Sequence, residues 1–173
     1  MEFNGQGFKL RPWRMDDAKA LQKHADNPNV SACLLNRFPY PYSIVDAEEF
    51  LEHITTKTPV TTFAIEVNGE AIGGIGLEIR QDVYRYSPLI GYWLSEQHWG
   101  KGITAEAVKL LTDYAFTKLE AICVQAFVFS ENPRSMRVLE KAGYIKQGII
   151  QQSVIKRGFV MDEHVYTAYP PEK

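Results

Sequence analysis

The segment Gln97-His98-Trp99-Gly100-Lys101-Gly102-Ile103-Thr104 places two glycines, a lysine and a hydroxyl residue between an apolar run, Leu89 to Leu94, and a strongly periodic helix. That combination suits the holding of an anion. Gly100 and Gly102 remove side-chain bulk where the backbone turns, so successive N–H groups can converge on a phosphate at the positive end of the helix dipole. Spacing separates the segment from two look-alikes. A nucleotide P-loop needs Gly, four spacers, then Gly-Lys-Ser/Thr, but Gly102 follows Lys101 and Ser95 stands where the first glycine belongs. A dinucleotide fingerprint fails at Ala105 and lacks the opening strand of a Rossmann unit. On residues alone, an anion cradle and a tight turn without ligand remain equal readings.

A second group with chemical capacity is Asn132-Pro133-Arg134-Ser135 at the head of a short helical pattern. Asn132 suits an N-cap there. Arg134, Arg137 and Lys141 recur at spacings of three and four, the pattern of a solvated helix face.

The elements that must carry these residues are legible from periodicity. Phe8 to Arg11 reads as a first strand closed by Pro12, followed by a helix capped by Asp16 and running to Ala25, which Asn27-Pro28-Asn29 ends. Leu34 to Tyr42, rich in aromatics and proline, reads as a stiff surface loop with exposed rings or as one folded back on the core. Asp46 opens a helix to Thr56 with Phe50, Leu51 and Ile54 on one side. Thr62 to Val67 and Ala71 to Ile79 flank Asn68-Gly69, a two-residue hairpin signal. After the glycine loop, Ala107, Leu110, Leu111, Tyr114 and Ala115 share a helix face. Ile122 to Phe129 is a buried-type strand, Arg134 to Lys141 a helix stopped by Gly143, and Tyr144 to Lys156 and Phe159 to Ala168 are strands meeting at Arg157-Gly158. The order implies an α/β (α+β) fold, a mixed central sheet with helices on both faces.

At 173 residues and 19.7 kDa the chain is sized for one domain, residues 1–173, with a sizeable core. A net charge of -2 argues against partners held by nonspecific electrostatics, so nucleic acid is not expected. The first residues show no basic and apolar leader pattern, and no apolar run approaches the ~18 residues of a membrane span. A cytoplasmic protein without membrane attachment is the expectation. Cys33 and Cys123 are far apart and the four histidines form no HExxH-like pair, so free thiols and no metal are expected.

Gln97-x-x-Gly100-x-Gly102 after Gly91-Tyr92-Trp93-Leu94, with Asn132-Pro133-x-Ser135 and Val138-Leu139-Glu140-Lys141-Ala142-Gly143-Tyr144 downstream, resembles the GNAT N-acetyltransferases, in the form of the RimJ/RimL-like, ribosomal-protein N-acetyltransferase branch. The resemblance implies the GNAT acyl-CoA N-acyltransferase fold, with a sheet of about seven strands. It also implies acetyl-CoA as co-substrate, no metal, an amine acceptor, and the homodimer that related enzymes often form. Tyr92, Trp93 and Leu94 would offer backbone groups to the pantetheine. Gln97, His98, Trp99, Gly100, Lys101, Gly102, Ile103 and Thr104 would grip the pyrophosphate, with Lys101 either adding charge or simply solvated. Asn132 would bond the pantetheine, cap the helix, or do both.

Amide formation from a thioester needs a neutral amine, donors for the oxyanion and a proton for the departing thiolate. Many GNAT enzymes carry a general-acid Tyr where this chain has Leu139, and Tyr144 falls at an aromatic position that packs in the core. As in the RimJ/RimL-like branch, Ser135 is then the proton-donor candidate, against a capping role. The carboxylate positions used by relatives hold Leu89 and Val154, which leaves Glu78 as the nearest base candidate, ahead of Asp82, Asp162 and Glu163. With no obvious base, the expected acceptor is an α-amine or a small amine of low pKa. Acceptor contacts are expected from Phe38 to Tyr42 and Asp82 to Tyr86. The alternative is a CoA-binding module of the same fold that has lost catalysis.

Overall fold

Asn68 and Gly69 both adopt positive φ (50° and 84°), the requirement of a two-residue hairpin turn, and they join strands β3 (Thr62–Val67) and β4 (Glu70–Glu78) where the sequence places them. The computed structural model describes residues 1–172. In chain order the other elements are β1 (Phe3–Gly5), β2 (Phe8–Pro12), α1 (Ala18–Ala25), α2 (Pro28–Ser31) and α3 (Ile44–Thr55) before that hairpin. After it come β5 (Leu89–Leu94), α4 (Ile103–Lys118), β6 (Val124–Phe129), α5 (Pro133–Lys141), β7 (Ile145–Lys156) and β8 (Phe159–Ala168). The strands form one mixed sheet in the order β1-β2-β3-β4-β5-β6-β8-β7, eight rather than the seven expected. The additional strand is β1, which pairs antiparallel with β2, Phe3 opposite Leu10. The pairing of β5 with β6 is parallel, Leu89 opposite Gln125, and the pairing of β6 with β8 is antiparallel.

The chain divides into two compact units, Met1–Gly76 with Tyr92–Ala107, and Leu77–Gly91 with Val108–Lys173. In the first, Trp13, Leu21, Ala25, Tyr42, Ala47, Leu51 and Ala64 form one apolar cluster, with Phe50 and Ile54 packed against it. Beside them the Arg11 guanidinium is buried with every nitrogen paired: Nη1 and Nη2 each donate to Asp17 at 2.7 Å, Nη1 also donates to the Pro12 carbonyl at 3.1 Å, and Nε donates to Glu66. A buried charge is tolerable only with such saturation. In the second unit, α4 buries Val108, Leu111 and Ala115, and β6 buries Val124, Ala126 and Val128.

Several local expectations change. Asp17, not Asp16, receives the Arg14 N–H (2.8 Å) at the entry to α1. Asn27 starts α2 as well as ending α1, accepting from the Asn29 N–H at 2.8 Å. Helix α3 starts at Ile44, with Ser43 as N-cap and Asp46 closing a reciprocal capping box. Ile122 lies outside β6, its N–H pairing with the Tyr86 carbonyl of the loop before β5 rather than in the ladder, and its side chain is 62% exposed. Tyr144 precedes β7 rather than belonging to it. In the aromatic loop Tyr42 is buried and Phe38 packs on it, while Tyr40 is exposed. Cys33 is half-buried and Cys123 buried, and neither forms a disulfide. Among the described residues no helix is long and apolar enough to cross a membrane.

Candidate functional site

Strand β5 ends at Leu94, and Ser95 turns the chain: its N–H donates to the Ile72 carbonyl (2.8 Å) and its own carbonyl accepts from His98 N–H (2.9 Å). The Trp99 indole Nε1 donates back to the Leu94 carbonyl at 2.8 Å, tying the ring to the strand end. Gly100 and Gly102 then take φ of 76° and 81°. An added Cβ at either meets no atom within 4 Å, so the backbone angle, not crowding, is what calls for glycine. The first helical hydrogen bond of α4 runs from Glu106 N–H to the Gly102 carbonyl (3.2 Å), so the N–H groups of Ile103, Thr104 and Ala105 precede it at the positive end of a four-turn helix. Gln97, Gly100, Lys101 and Gly102 are exposed, with His98, Trp99, Ile103 and Thr104 half-buried around them. Exposed glycine backbone leading into a helix N-terminus is what a bound diphosphate needs. The carboxylate of Glu106 is engaged elsewhere, accepting from Gln6 N–H at 3.0 Å.

His98 differs from its neighbours in having a buried Nδ1 with no hydrogen-bond partner. Burial, then the charges of Lys101 and His24, hold its pKa below the ordinary histidine value against the pull of Glu70.

Along β5, Tyr92 and Trp93 are half-buried and Leu94 is buried. Trp93 packs on Phe38 with centroids 5.4 Å apart. The close approach of β5 depends on Gly73 and Gly74 of β4, which sequence reasoning passed over. A Cβ on Gly73 would lie 2.6 Å from the Trp93 carbonyl oxygen, and one on Gly74 would lie 2.7 Å from Trp93 Nε1. Paired glycines inside an otherwise apolar strand were the available signal.

In the second unit, Asn132 Oδ1 accepts from Ser135 N–H at 3.2 Å, so Asn132 is the N-cap of α5. Ser135 is half-buried in the first turn of that helix. Leu139 is completely buried, and Tyr144, 4% exposed, shares a 2.6 Å hydrogen bond with Thr112 Oγ1. That bond holds the Tyr144 phenol in the core. Glu78 is exposed as the last residue of β4. Val154 lies opposite Met161 next to a break in the β7–β8 register, and there Asp162 accepts from Gln152 N–H (2.8 Å) and Glu163 from Ser153 Oγ (3.0 Å). Arg134, Arg137 and Lys141 are exposed. The structure thus gathers Tyr92 to Thr104 in the first unit and Asn132 with Ser135 in the second, where Glu78 also belongs.

Residues 8–145 match the family model described as the Acetyltransferase (GNAT) domain. The chain is 29% identical over 162 residues to the uncharacterized N-acetyltransferase p20 of Bacillus licheniformis, covering 91% of this chain and 90% of that one. It is 46% identical over 83 residues to the probable N-acetyltransferase YjcK of Bacillus subtilis (strain 168), a match that covers 48% of this chain and spans 46% of the relative's length. Among solved structures it is similar to the ribosomal-protein-S5-alanine acetyltransferase of Vibrio fischeri, with a TM-score of 0.85, 17% identity, and 99% and 98% of the two chains covered. At that identity the likeness concerns the fold.

Proposed function

The chain belongs to the GNAT acetyltransferase family, and from that premise we propose that residues 1–173 work as one N-acetyltransferase domain whose acceptor is a protein N-terminal α-amine or a small amine of low pKa. The general activity, acetyl-CoA-dependent N-acetylation, comes with the family. The observation that carries the donor reading is the left-handed backbone at Gly100 and Gly102, at the head of α4. There the N–H groups from Gly100 to Thr104 take the pyrophosphate, with Gln97, His98, Trp99 and Lys101 bordering it, and Tyr92 to Leu94 pair with the pantetheine through the backbone. Asn132 reaches the pantetheine with its amide nitrogen while its oxygen caps α5.

In the reaction the amine nitrogen attacks the thioester carbonyl carbon, a C–N bond forms, and the tetrahedral oxyanion collapses with loss of the C–S bond. The ammonium proton passes to Glu78 or to water, and the departing thiolate is protonated through Ser135 Oγ, which takes a proton from water as it gives its own, so the serine ends as it began. The absence of a base at Leu89 and Val154 favours an acceptor that is already partly neutral. An α-amine with pKa about 8 is roughly a tenth neutral at pH 7, while a lysine near 10.4 is neutral in under about one part in a thousand.

The test has two arms. Titration calorimetry with acetyl-CoA on Gly100→Val and Gly102→Val is expected to show binding lost; native affinity in both would refute the donor reading. CoA release over a panel of α-amines, small amines and lysine peptides is expected to favour the first two. Turnover on lysine side chains alone would refute the acceptor reading, and tight acetyl-CoA binding with no turnover on any amine would leave a donor-binding module.

A further inference from the structure

The two residues that lead into the glycine loop, Ser95 and Glu96, are held by side chains from one short stretch, His24 to Asn29, at the corner between α1 and α2. His24 is 4% exposed, and both ring nitrogens are engaged: Nδ1 lies 2.9 Å from Ser95 Oγ, and Nε2 lies 3.0 Å from Glu70 Oε1. A carboxylate accepts, so Nε2 donates to Glu70, while Nδ1 and Ser95 Oγ share a hydrogen bond in which either atom can be the donor. Glu70 is itself fixed by Lys23 Nζ at 2.6 Å. Next in sequence, the Glu96 carboxylate accepts from Asn27 Nδ2 at 2.7 Å and from Asn29 Nδ2 at 3.0 and 3.1 Å.

A serine, a histidine and a glutamate in a line also describe a hydrolase relay, but Ser95 is 5% exposed and its backbone is tied to Ile72, so no acyl substrate reaches its oxygen. The arrangement serves position instead. We propose that the α1–α2 corner is a clamp on the donor loop, with His24 as a positioning residue that acts through Ser95 and Asn27 and Asn29 acting through Glu96. The proposal rests on the reading of residues 97–104 as the pyrophosphate grip. The glycines that let the loop turn also let it wander, and N–H donors bind an anion well only when they are already aimed. Anchoring the two residues before Gln97 aims the loop without placing a side chain over the exposed glycines. The clamp should therefore act on acetyl-CoA affinity and leave chemistry and acceptor binding alone.

The experiment uses the full chain and compares His24→Asn, His24→Gln, Ser95→Ala and Asn27→Asp. Asparagine puts its amide where Nδ1 was, within reach of Ser95; glutamine reaches toward Glu70 and misses Ser95. Asp at 27 keeps the cap on α2 but faces the Glu96 carboxylate with like charge. His24→Gln, Ser95→Ala and Asn27→Asp are expected to raise the acetyl-CoA Kd and KM about tenfold, equivalent to ~1.4 kcal/mol. The double variant of His24→Gln and Ser95→Ala should go no further than either alone, and His24→Asn should stay within about twofold of native, with kcat at saturating acetyl-CoA and the amine KM unchanged throughout. Circular dichroism checks folding, and the surface variant Asn27→Asp carries the test if a His24 variant does not fold. Native acetyl-CoA affinity in all folded variants would overturn the clamp, as would a parallel fall in kcat or a failure of His24→Asn to rescue. If these variants are native while Gly100→Val loses acetyl-CoA, the clamp alone is wrong; if Gly100→Val also binds normally, the donor loop is wrong.

Discussion

Replacing Gly73 with Ala tests whether the approach of β5 to β4 is as tight as it looks. The new Cβ would sit 2.6 Å from the Trp93 carbonyl oxygen and 3.1 Å from Leu94 Cα, both backbone atoms that cannot rotate away. A carbon normally rests about 3.3 Å or more from a carbonyl oxygen, so the two backbones must part by roughly 0.7 Å. Overpacking of this kind costs ~1–3 kcal/mol. Separation also strains the Ser95 N–H to Ile72 carbonyl bond, worth about 1 kcal/mol, while the stiffer unfolded chain returns ~0.4–1 kcal/mol. The net expectation is about 2 kcal/mol of destabilisation, or a Tm lower by roughly 6 °C for a chain of this size. Two other glycines grade the series in the same thermal melts followed by circular dichroism. At Gly76 the new Cβ meets the rotatable Thr62 Oγ1 at 2.8 Å, and at Gly91 it meets nothing within 4 Å. Gly76→Ala should fall between, and Gly91→Ala should be neutral or slightly stabilising. A Gly73→Ala protein melting no lower than Gly91→Ala would refute the reasoning.

Other expectations follow from the remaining geometry. Tyr144→Phe removes the buried hydrogen bond to Thr112 and should cost about 1–2 kcal/mol in urea unfolding; kcat should hold, and a large loss of kcat would restore the phenol as a general acid. Ser135→Ala should lower kcat by ~10²-fold or more with acetyl-CoA affinity retained, the signature of a lost proton donor; an unchanged kcat would leave Ser135 only its place in α5. For His98, burial depresses the folded pKa, so the unfolded chain binds more protons between the ordinary value near 6.5 and the folded one. Stability should then be full above pH 6.5, fall as pH drops through that interval, and lose this slope in His98→Gln. A His98 proton-NMR titration midpoint above 6.5 would contradict it.

Local patterns were readable wherever a few neighbouring residues satisfy one another. The bounds of β5, the Asn68-Gly69 turn, the stop at Gly143 with φ of 88°, and the capping of α5 by Asn132 all follow from periodicity, positive φ and nearby hydrogen bonds. Strand β1 was missed because three residues, Phe3 to Gly5, show no period and gain their strand character only from β2. The choice of Asp17 over Asp16 was equally hidden, since Arg11 and Glu66, from two different strands, select it.

The candidate site divides the same way. Its glycine loop, its preceding strand and its following helix are contiguous, so the sequence by itself determined that strand-loop-helix segment and the family it points to. What only the tertiary structure decided is which distant residues meet that segment. His24 meets Ser95 across 71 positions and Glu70 across 46, and Gly73 meets Trp93 from the neighbouring strand. Such partners come from packing distant segments together, and neither a helical period nor a turn preference encodes which distant residue will be opposite.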